Sequence, residues 1–446
     1  MRIAILCGAL LATWWLSPLS AADVRTGAAA VNIEADDSMV IAGGIGPGKA
    51  VGQEGQLRSV AVVIEKPGAG KVAIVACDVL FVTRDFVDSA LAQIEKTTGI
   101  AASQVLVNAT HTHHAPCTAT VHGYVRDDVF TKRVQDAIVK SVEEANARLA
   151  GGESDFYFKL TEEKTVGANS RVLLSDNSIW WGGSMDDSLR HTGPFDPQLP
   201  VLAFRGADHK PRALLYNHST HTIGSRKPGV RSPSFYGLAA QELENELGCT
   251  VSFLEGASGS THNITGVPVD EAVRRMKKAV TEALADAEPR AVTRLVSLKR
   301  PFEFKVRTFD ESVEDEKVSR YTRKRMSGGA DSIIEVFRNM RRQLKPEQGK
   351  TRETVVQVIL IGDVAIVGVP AEYFTIFGVE IKRRSPFKNT YVAELANDWI
   401  GYLPNLEGHE LGGYQTWMGL HSYAEPGTGE RVADTAVSML EELAKP

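Results

Sequence analysis

Three histidines in four positions, within Asn108-Ala-Thr-His111-Thr-His113-His114, carry the densest chemistry in this chain. They follow Val105-Leu-Val107, an apolar run that reads as a buried strand. His111 and His113 are two residues apart, so on an extended backbone both imidazoles leave the same face. Neutral imidazole is the commonest protein ligand of zinc. A pair delivered by a strand end can place two rings on one ion, or one on the ion and one on its water. An apolar strand that hands histidines to a loop is also where α/β enzymes keep their chemistry. These residues favour a metal-dependent hydrolase over the alternative, a surface loop that happens to be rich in histidine.

Three further strand ends carry polar side chains. Leu214-Leu-Tyr-Asn217-His218-Ser-Thr-His221 runs into a second histidine pair, and Val367-Gly-Val-Pro370-Ala-Glu372 turns at a proline onto a carboxylate. The last is Asn397-Asp-Trp-Ile-Gly401-Tyr402-Leu-Pro404, closely followed by Gly412-Gly-Tyr414. Each is weak alone, because a single strand-end histidine is more often a hydrogen-bonded structural residue. His114 and His218 are read that way. Cys117, just beyond the cluster, reads as a small buried apolar residue rather than a soft metal ligand.

The elements that must position these groups alternate in type. Val60 to Ile64 and Val72 to Ala76 read as strands around the Pro67-Gly-Ala-Gly70 turn. Asp85 to Ile94 has helical spacing, with Phe86, Ala90, Leu91 and Ile94 on one stripe. After the histidine strand, Phe130, Val134, Ile138, Val142 and Ala145 predict a longer helix. Residues 150–196 read as loops with short strands. Leu199 to Phe204, Ala213 to Tyr216 and Val251 to Leu254 resume as strands, with helices over Tyr236 to Leu247 and Asp270 to Ala287. Val355 to Ile361 and Val364 to Val369 flank the Gly362-Asp363 turn. The rhythm predicts an α/β fold of mixed β-sheets flanked by helices, and the length allows one large domain over 23–446 or two ordinary ones. Residues 310–350 read as a charged surface insertion.

The whole chain has 446 residues, 43% of them hydrophobic and 24% charged, which is ordinary globular composition. A net charge of −5 leaves no basic footprint, so no nucleic-acid partner is expected. Arg2, the apolar run Ile3 to Leu16 and Pro18-Leu-Ser-Ala21-Ala22 read as a signal peptide over residues 1–22, hence a secreted or periplasmic protein. The run is short for a retained membrane anchor. With Cys7 in the leader, Cys77, Cys117 and Cys249 remain, enough for one disulfide at most.

In their order, these segments resemble the neutral/alkaline (non-lysosomal) ceramidase family, in its amino-terminal catalytic domain. The family's N-A-T-H-T-H segment is matched by Asn108 to His113, and its Asn followed four residues later by His is matched by Asn217 and His221. Its V-P-G-E element is similar to Val369-Pro-Ala-Glu372. Its N-x-x-x-G/H-Y element resembles Asn397 to Tyr402, with Tyr414 twelve residues on. The resemblance implies a zinc ion held by His111, His221, Glu372 and Tyr402, with His113 beside it. It further implies that Arg171, in Ala168-Asn-Ser-Arg171, acts with Tyr414 on the carbonyl oxygen as that oxygen gains negative charge.

The implied activity is an exported zinc-dependent amidohydrolase that cleaves an N-acyl, ceramide-like amide with metal-activated water. The implied partners are a small-molecule or lipid N-acyl substrate and a transient membrane-surface contact. Thr220, Ser234 and the residue inserted in the family's Asn-Arg pair before Arg171 are small departures; the larger one is the family's G-D-x-S/N-P segment, which stands here as Gly259-Ser260-Thr-His262-Asn263, without the acidic residue and the serine. The pocket is therefore expected to differ there. A zinc esterase or deacylase on a polar substrate, or an exported binding protein that keeps the fold, are the alternatives this departure favours. The chain stops soon after the last motif, so the family's immunoglobulin-like carboxy-terminal domain is not expected.

Overall fold

Val60 to Ile64 and Val72 to Ala76 are apolar at consecutive positions because their strands are covered on both faces. The computed structural model describes residues 23–326 and 328–445. It places these runs in the antiparallel strands Arg58–Lys66 and Gly70–Cys77. The histidine strand, Val105–Ala109, joins Gly70–Cys77 in parallel. A parallel pair needs a crossover, and the helix Arg84–Thr98 supplies it. The sheet extends the other way through Val24–Asn32, Glu153–Glu162, Gln198–Arg205 and Pro211–His218 to Thr250–Glu255, and with Glu288–Arg290 paired to Glu153–Glu162 it counts nine strands among the described residues. Pro211–His218 and Thr250–Glu255 are parallel neighbours.

A second sheet contains Leu295–Lys305, Thr351–Ile361, Val364–Gly368 and Asn389–Ala393, in that order. The two sheets face each other: Val62, Ile74 and Leu106 of the first share one buried cluster with Ile359, Ile366 and Tyr391 of the second. Helices cover the outer faces. Arg84–Thr98 and Asp128–Ala147 lie on the histidine half of the large sheet, and Ser234–Leu247 and Val269–Ala285 on its other half. Thr375–Arg384 and Thr428–Ala444 flank the second sheet. The α/β class with mixed sheets flanked by helices is the architecture found.

Two motif asparagines staple the sheets together. Asn217 Nδ2 donates to the carbonyls of Leu254 in the first sheet (2.9 Å) and Val392 in the second (3.0 Å). Asn108 Nδ2 donates to the Glu394 carbonyl, and its Oδ1 accepts from the Glu255 amide at 3.0 Å. Removing such a buried amide leaves carbonyls without a partner, at about 1–3 kcal/mol. Asn217→Ala is therefore expected to destabilise the protein by about 2 kcal/mol, read as a lowered urea midpoint with an unchanged slope.

Some elements differ from the sequence reading. Glu153–Glu162 is a ten-residue strand where loops and short strands were expected, with Phe156 and Phe158 in the inter-sheet core. Within 310–350, Glu311–Arg325 and Ala330–Leu344 form a helical hairpin that carries charge outward. Its Phe337 packs against Tyr414, Trp417 and His421. The expected signal peptide lies outside the described residues. No described helix is long and apolar enough to cross a membrane. Cys77, Cys117 and Cys249 are buried free thiols, and Cys117 Sγ donates to the Val125 carbonyl at 2.7 Å.

Candidate active site

The strand that delivers the histidines stops at Ala109, and His111 adopts φ +61°. The expected extended backbone is therefore absent: His111 sits in a left-handed turn, a conformation costing an L-residue roughly 1–2 kcal/mol. Strain of this kind collects at functional sites, where surrounding contacts hold it. His111 and His113 still converge, with their Nε2 atoms 3.3 Å apart. His221 follows the end of Pro211–His218, and its ring lies edge-on to His111 with centroids 4.4 Å apart. Ligand atoms of His111, His113 and His221 all lie within 4.8 Å of one another.

Glu372 and Tyr402 arrive as a pair. They sit in the short parallel strands Glu372–Tyr373 and Tyr402–Leu403, directly opposite each other in register. Glu372 Oε1 is 3.5 Å from His111 Nε2 and 3.7 Å from His221 Nε2, and Tyr402 Oη is 3.1 Å from His221 Nε2. Trp399 Nε1 donates to Glu372 Oε2 at 3.1 Å and fixes the carboxylate plane. Gly259 makes this approach possible: a Cβ there would stand 2.4 Å from the Glu372 carbonyl oxygen.

The tautomers follow from the partners. His111 Nδ1 faces the Leu80 carbonyl (3.0 Å), His113 Nδ1 the Gly43 carbonyl (3.0 Å), and His221 Nδ1 the Ser258 carbonyl (2.9 Å). A carbonyl only accepts, so each Nδ1 carries the proton and each Nε2 presents a lone pair. Burial pushes the His111 pKa down to about 3, helped by the neighbouring His221, and burial pushes His221 down to about 4. His113 is held well below the usual range, first by burial and then by His111 and His221. Burial raises the Glu372 carboxyl, while His111 opposes that rise. Burial and the Glu372 charge raise the Tyr402 phenol well above its ordinary value.

Three neutral imidazoles thus aim lone pairs at one buried point beside a carboxylate, which is repulsive unless a cation sits among them. A tetrahedral zinc with bonds near 2.1 Å separates its ligand atoms by about 3.4 Å. The close donor pairs here, Tyr402–His221, His111–His113, Glu372–His111 and Glu372–His221, stand 3.1, 3.3, 3.5 and 3.7 Å apart, and the three histidine donors all lie within 4.8 Å of one another. Among the described residues, this donor set fits a zinc-sized cation.

Tyr414 adjoins the cluster, its ring centroid 5.8 Å from that of Tyr402. Trp181 stacks on it at 4.8 Å, and its Oη shares a 3.0 Å hydrogen bond with His122 Nε2. Arg171 lies beneath the loop that carries Tyr414. Its guanidinium donates to the carbonyls of Gly408 (3.0 Å) and Gly412 (2.7 Å) and to Gln415 Oε1 (3.0 Å), and it stacks on Phe374. Arg171 therefore acts on the loop that carries Tyr414 as an anchor, and none of its hydrogen bonds reaches Tyr414 itself.

Sequence reasoning missed three contributors. His122 is an isolated histidine with no motif. Glu394 accepts from Ser258 Oγ (2.7 Å), from the Ser258 amide (2.9 Å) and from the Tyr373 amide (2.7 Å), and so braces the segments beside His221 and Glu372. His262 appeared only as a departure from the family pattern. Its ring lies 3.9 Å from that of His221, and its Nε2 has no hydrogen-bond partner among the described residues. His218 and His114 lie apart from the cluster's donors. His218 bonds Tyr236 Oη (2.5 Å) and the Glu163 carbonyl (3.0 Å), and His114 Nε2 accepts from the Gly224 amide (3.0 Å).

No family model and no curated protein sequence matches the chain. Solved structures do. A neutral ceramidase from Pseudomonas aeruginosa superposes with a TM-score of 0.74 at 18% identity, over 95% of this chain and 75% of that one. A ceramidase complexed with C2 gives a TM-score of 0.71 at 17% identity, over 94% of this chain and 75% of that one. Over nearly its whole length, the fold of this chain is that of these ceramidases.

Proposed function

We propose that the chain is an exported zinc-dependent amidohydrolase that cleaves an N-acyl amide, and that it forms one catalytic domain over residues 23–446. The observation that carries this reading is the buried set of three Nε2 lone pairs, one carboxylate and one phenol around a single point. His111, His221, Glu372 and Tyr402 would hold the ion. A bound zinc ion supplies a water made acidic enough to ionise near neutral pH and an electrophile for the acyl carbonyl.

The chain's own groups do the rest. His113 is less buried than His111 and His221, and its ring is held by the Gly43 carbonyl. It would orient the attacking water. Tyr414 keeps its proton at neutral pH, because burial and the Glu372 charge raise its pKa well above the ordinary value. It can therefore donate to the carbonyl oxygen as charge develops there. His122 aims that hydroxyl, and Arg171 holds the loop that carries it, as a positioning residue.

A second reading, an esterase or deacylase acting on a more polar substrate, is favoured by His262. Its unpartnered Nε2 beside His221 offers a substrate hydroxyl or amide a hydrogen bond that an apolar chain could not return. One assay separates the readings. Metal-loaded protein is given a short fluorogenic N-acyl amide and the matching ester, with and without chelator. Amide cleavage abolished by chelator and restored by zinc is expected. Ester cleavage alone would favour the second reading, and inertness toward both would leave a binding protein. Chelator should also lower the thermal midpoint, since a ligand at about 100 times its Kd stabilises by about 2.7 kcal/mol.

A further inference from the structure

Behind the Tyr414 loop lies a cavity of about 420 Å³ that the hydrolytic chemistry does not use. Its walls combine the aromatic rings of Tyr321 and Trp417 with the cationic side chains of Arg307, Lys317, Arg320, Lys324 and Arg325. Among the described residues, only Asp176 and Glu410 bring carboxylates to the lining. Asp176 is already engaged by Lys324 (2.7 Å) and Arg325 (2.8 Å), and Arg325 also reaches Asp187 at 2.8 Å. Lys317 pairs with Glu314 (2.7 Å), and the exposed Arg320 pairs with Glu316 (3.1 Å).

Arg307 is different. Its Nη2 donates to the Thr416 carbonyl (2.9 Å), its Nε and Nη2 face Met418 Sδ (3.4 and 3.3 Å), and no carboxylate lies within ion-pair distance among the described residues. A largely desolvated guanidinium without an anion is costly unless something else supplies the charge. Burial lowers its pKa, and the nearby Glu314 only partly offsets this. The potential is felt across the cavity. His409, also on its wall, is pushed down to about 4 by burial and then by Arg307, Arg171 and Lys317, all of them cations.

The geometry points to an anion-binding site in this cavity, with Arg307 as its anchor and a phosphate ester as its ligand. A guanidinium fork matches the paired oxygens of a phosphoryl group, and the lysines add point charge around it. The volume exceeds what an inorganic ion fills, and the flanking Tyr321 and Trp417 rings suit a small organic body attached to it. The site shares Gly412, Gly413, Thr416 and Trp417 with the loop that carries Tyr414, so an occupant would bear directly on that loop. The inference does not depend on the hydrolase reading.

The phosphate could be free or part of a lipid headgroup, and one titration series distinguishes the two. Calorimetry with inorganic phosphate and with glycerol phosphate is run on the wild type, on Arg307→Met and on the surface double variant Lys317→Gln/Arg320→Gln. Co-sedimentation with phosphatidylglycerol-containing and pure phosphatidylcholine vesicles is measured in parallel. Arg307→Met is expected to weaken binding about tenfold or more, as loss of a charge-assisted pair does, and the double variant several-fold. Raising salt should weaken binding as well. Binding of the soluble phosphates identifies a free ester, and binding to phosphatidylglycerol vesicles alone identifies a headgroup. Absence of binding to either, or equal binding by all three proteins, overturns the proposal. Arg307 also holds the Thr416 carbonyl, so the double variant keeps the test decisive if Arg307→Met misfolds.

Discussion

His111→Ala and His221→Ala should each lose almost all bound zinc, and hydrolysis should fall by roughly 10³-fold or more, because the activation of water is lost with the ion. The expectation follows from how completely each ring is committed. Its Nδ1 proton goes to a backbone carbonyl, Leu80 for His111 and Ser258 for His221, which leaves one lone pair directed at the shared point. Alanine removes one of the donors around the shared point, and the remaining rings are held in place through Nδ1 by their own carbonyls. Zinc content by elemental analysis, with circular dichroism to show that the fold persists, checks both variants. Zinc retained at one equivalent in both would mean that these rings are not ligands.

Tyr414→Phe is the second large effect. An oxyanion donor acts mainly in the transition state, so kcat should fall about 10²–10³-fold with zinc retained. The KM should move little, because ground-state binding is spared. The structure refines the sequence expectation for its partner. Arg171 spends its guanidinium on the Gly408 and Gly412 carbonyls and on Gln415, so Arg171→Met should cost stability as well as rate. Tyr414→Phe, by contrast, deletes one hydroxyl and keeps the stack on Trp181. A Tyr414→Phe protein that turns over at the wild-type rate would remove this hydroxyl from the chemistry.

The groups gathered at the centre were legible because each follows an apolar strand or turn with its own signature. Val105–Ala109 before His111, Pro211–His218 before His221 and Val364–Gly368 before Glu372 are buried runs that periodicity finds. The local backbone was not legible. The left-handed His111 is imposed by tertiary contacts, as no glycine or asparagine stands at that position to signal a positive φ. Leu295–Lys305 escaped notice because it is an edge strand, half exposed, with charges and Pro301 that a central strand would not tolerate. Glu153–Glu162 did carry a partial alternation, with Ser154, Phe156 and Phe158 buried, but its flanking glycines and acids read as loop. His122, Glu394 and His262 come from separate loops and strands and meet their partners Tyr414, Ser258 and His221 only in the folded chain. Nothing in their own spacing announces that meeting.

Central to this account is one cation held among His111, His221, Glu372 and Tyr402. A crystal of protein purified without chelator, measured on both sides of the zinc absorption edge, tests that claim most directly. The account predicts a single anomalous peak at bonding distance from His111 Nε2, His221 Nε2 and Glu372, with the His113 ring beside it. A peak elsewhere in the molecule, or none at this point in zinc-supplemented crystals, would contradict it.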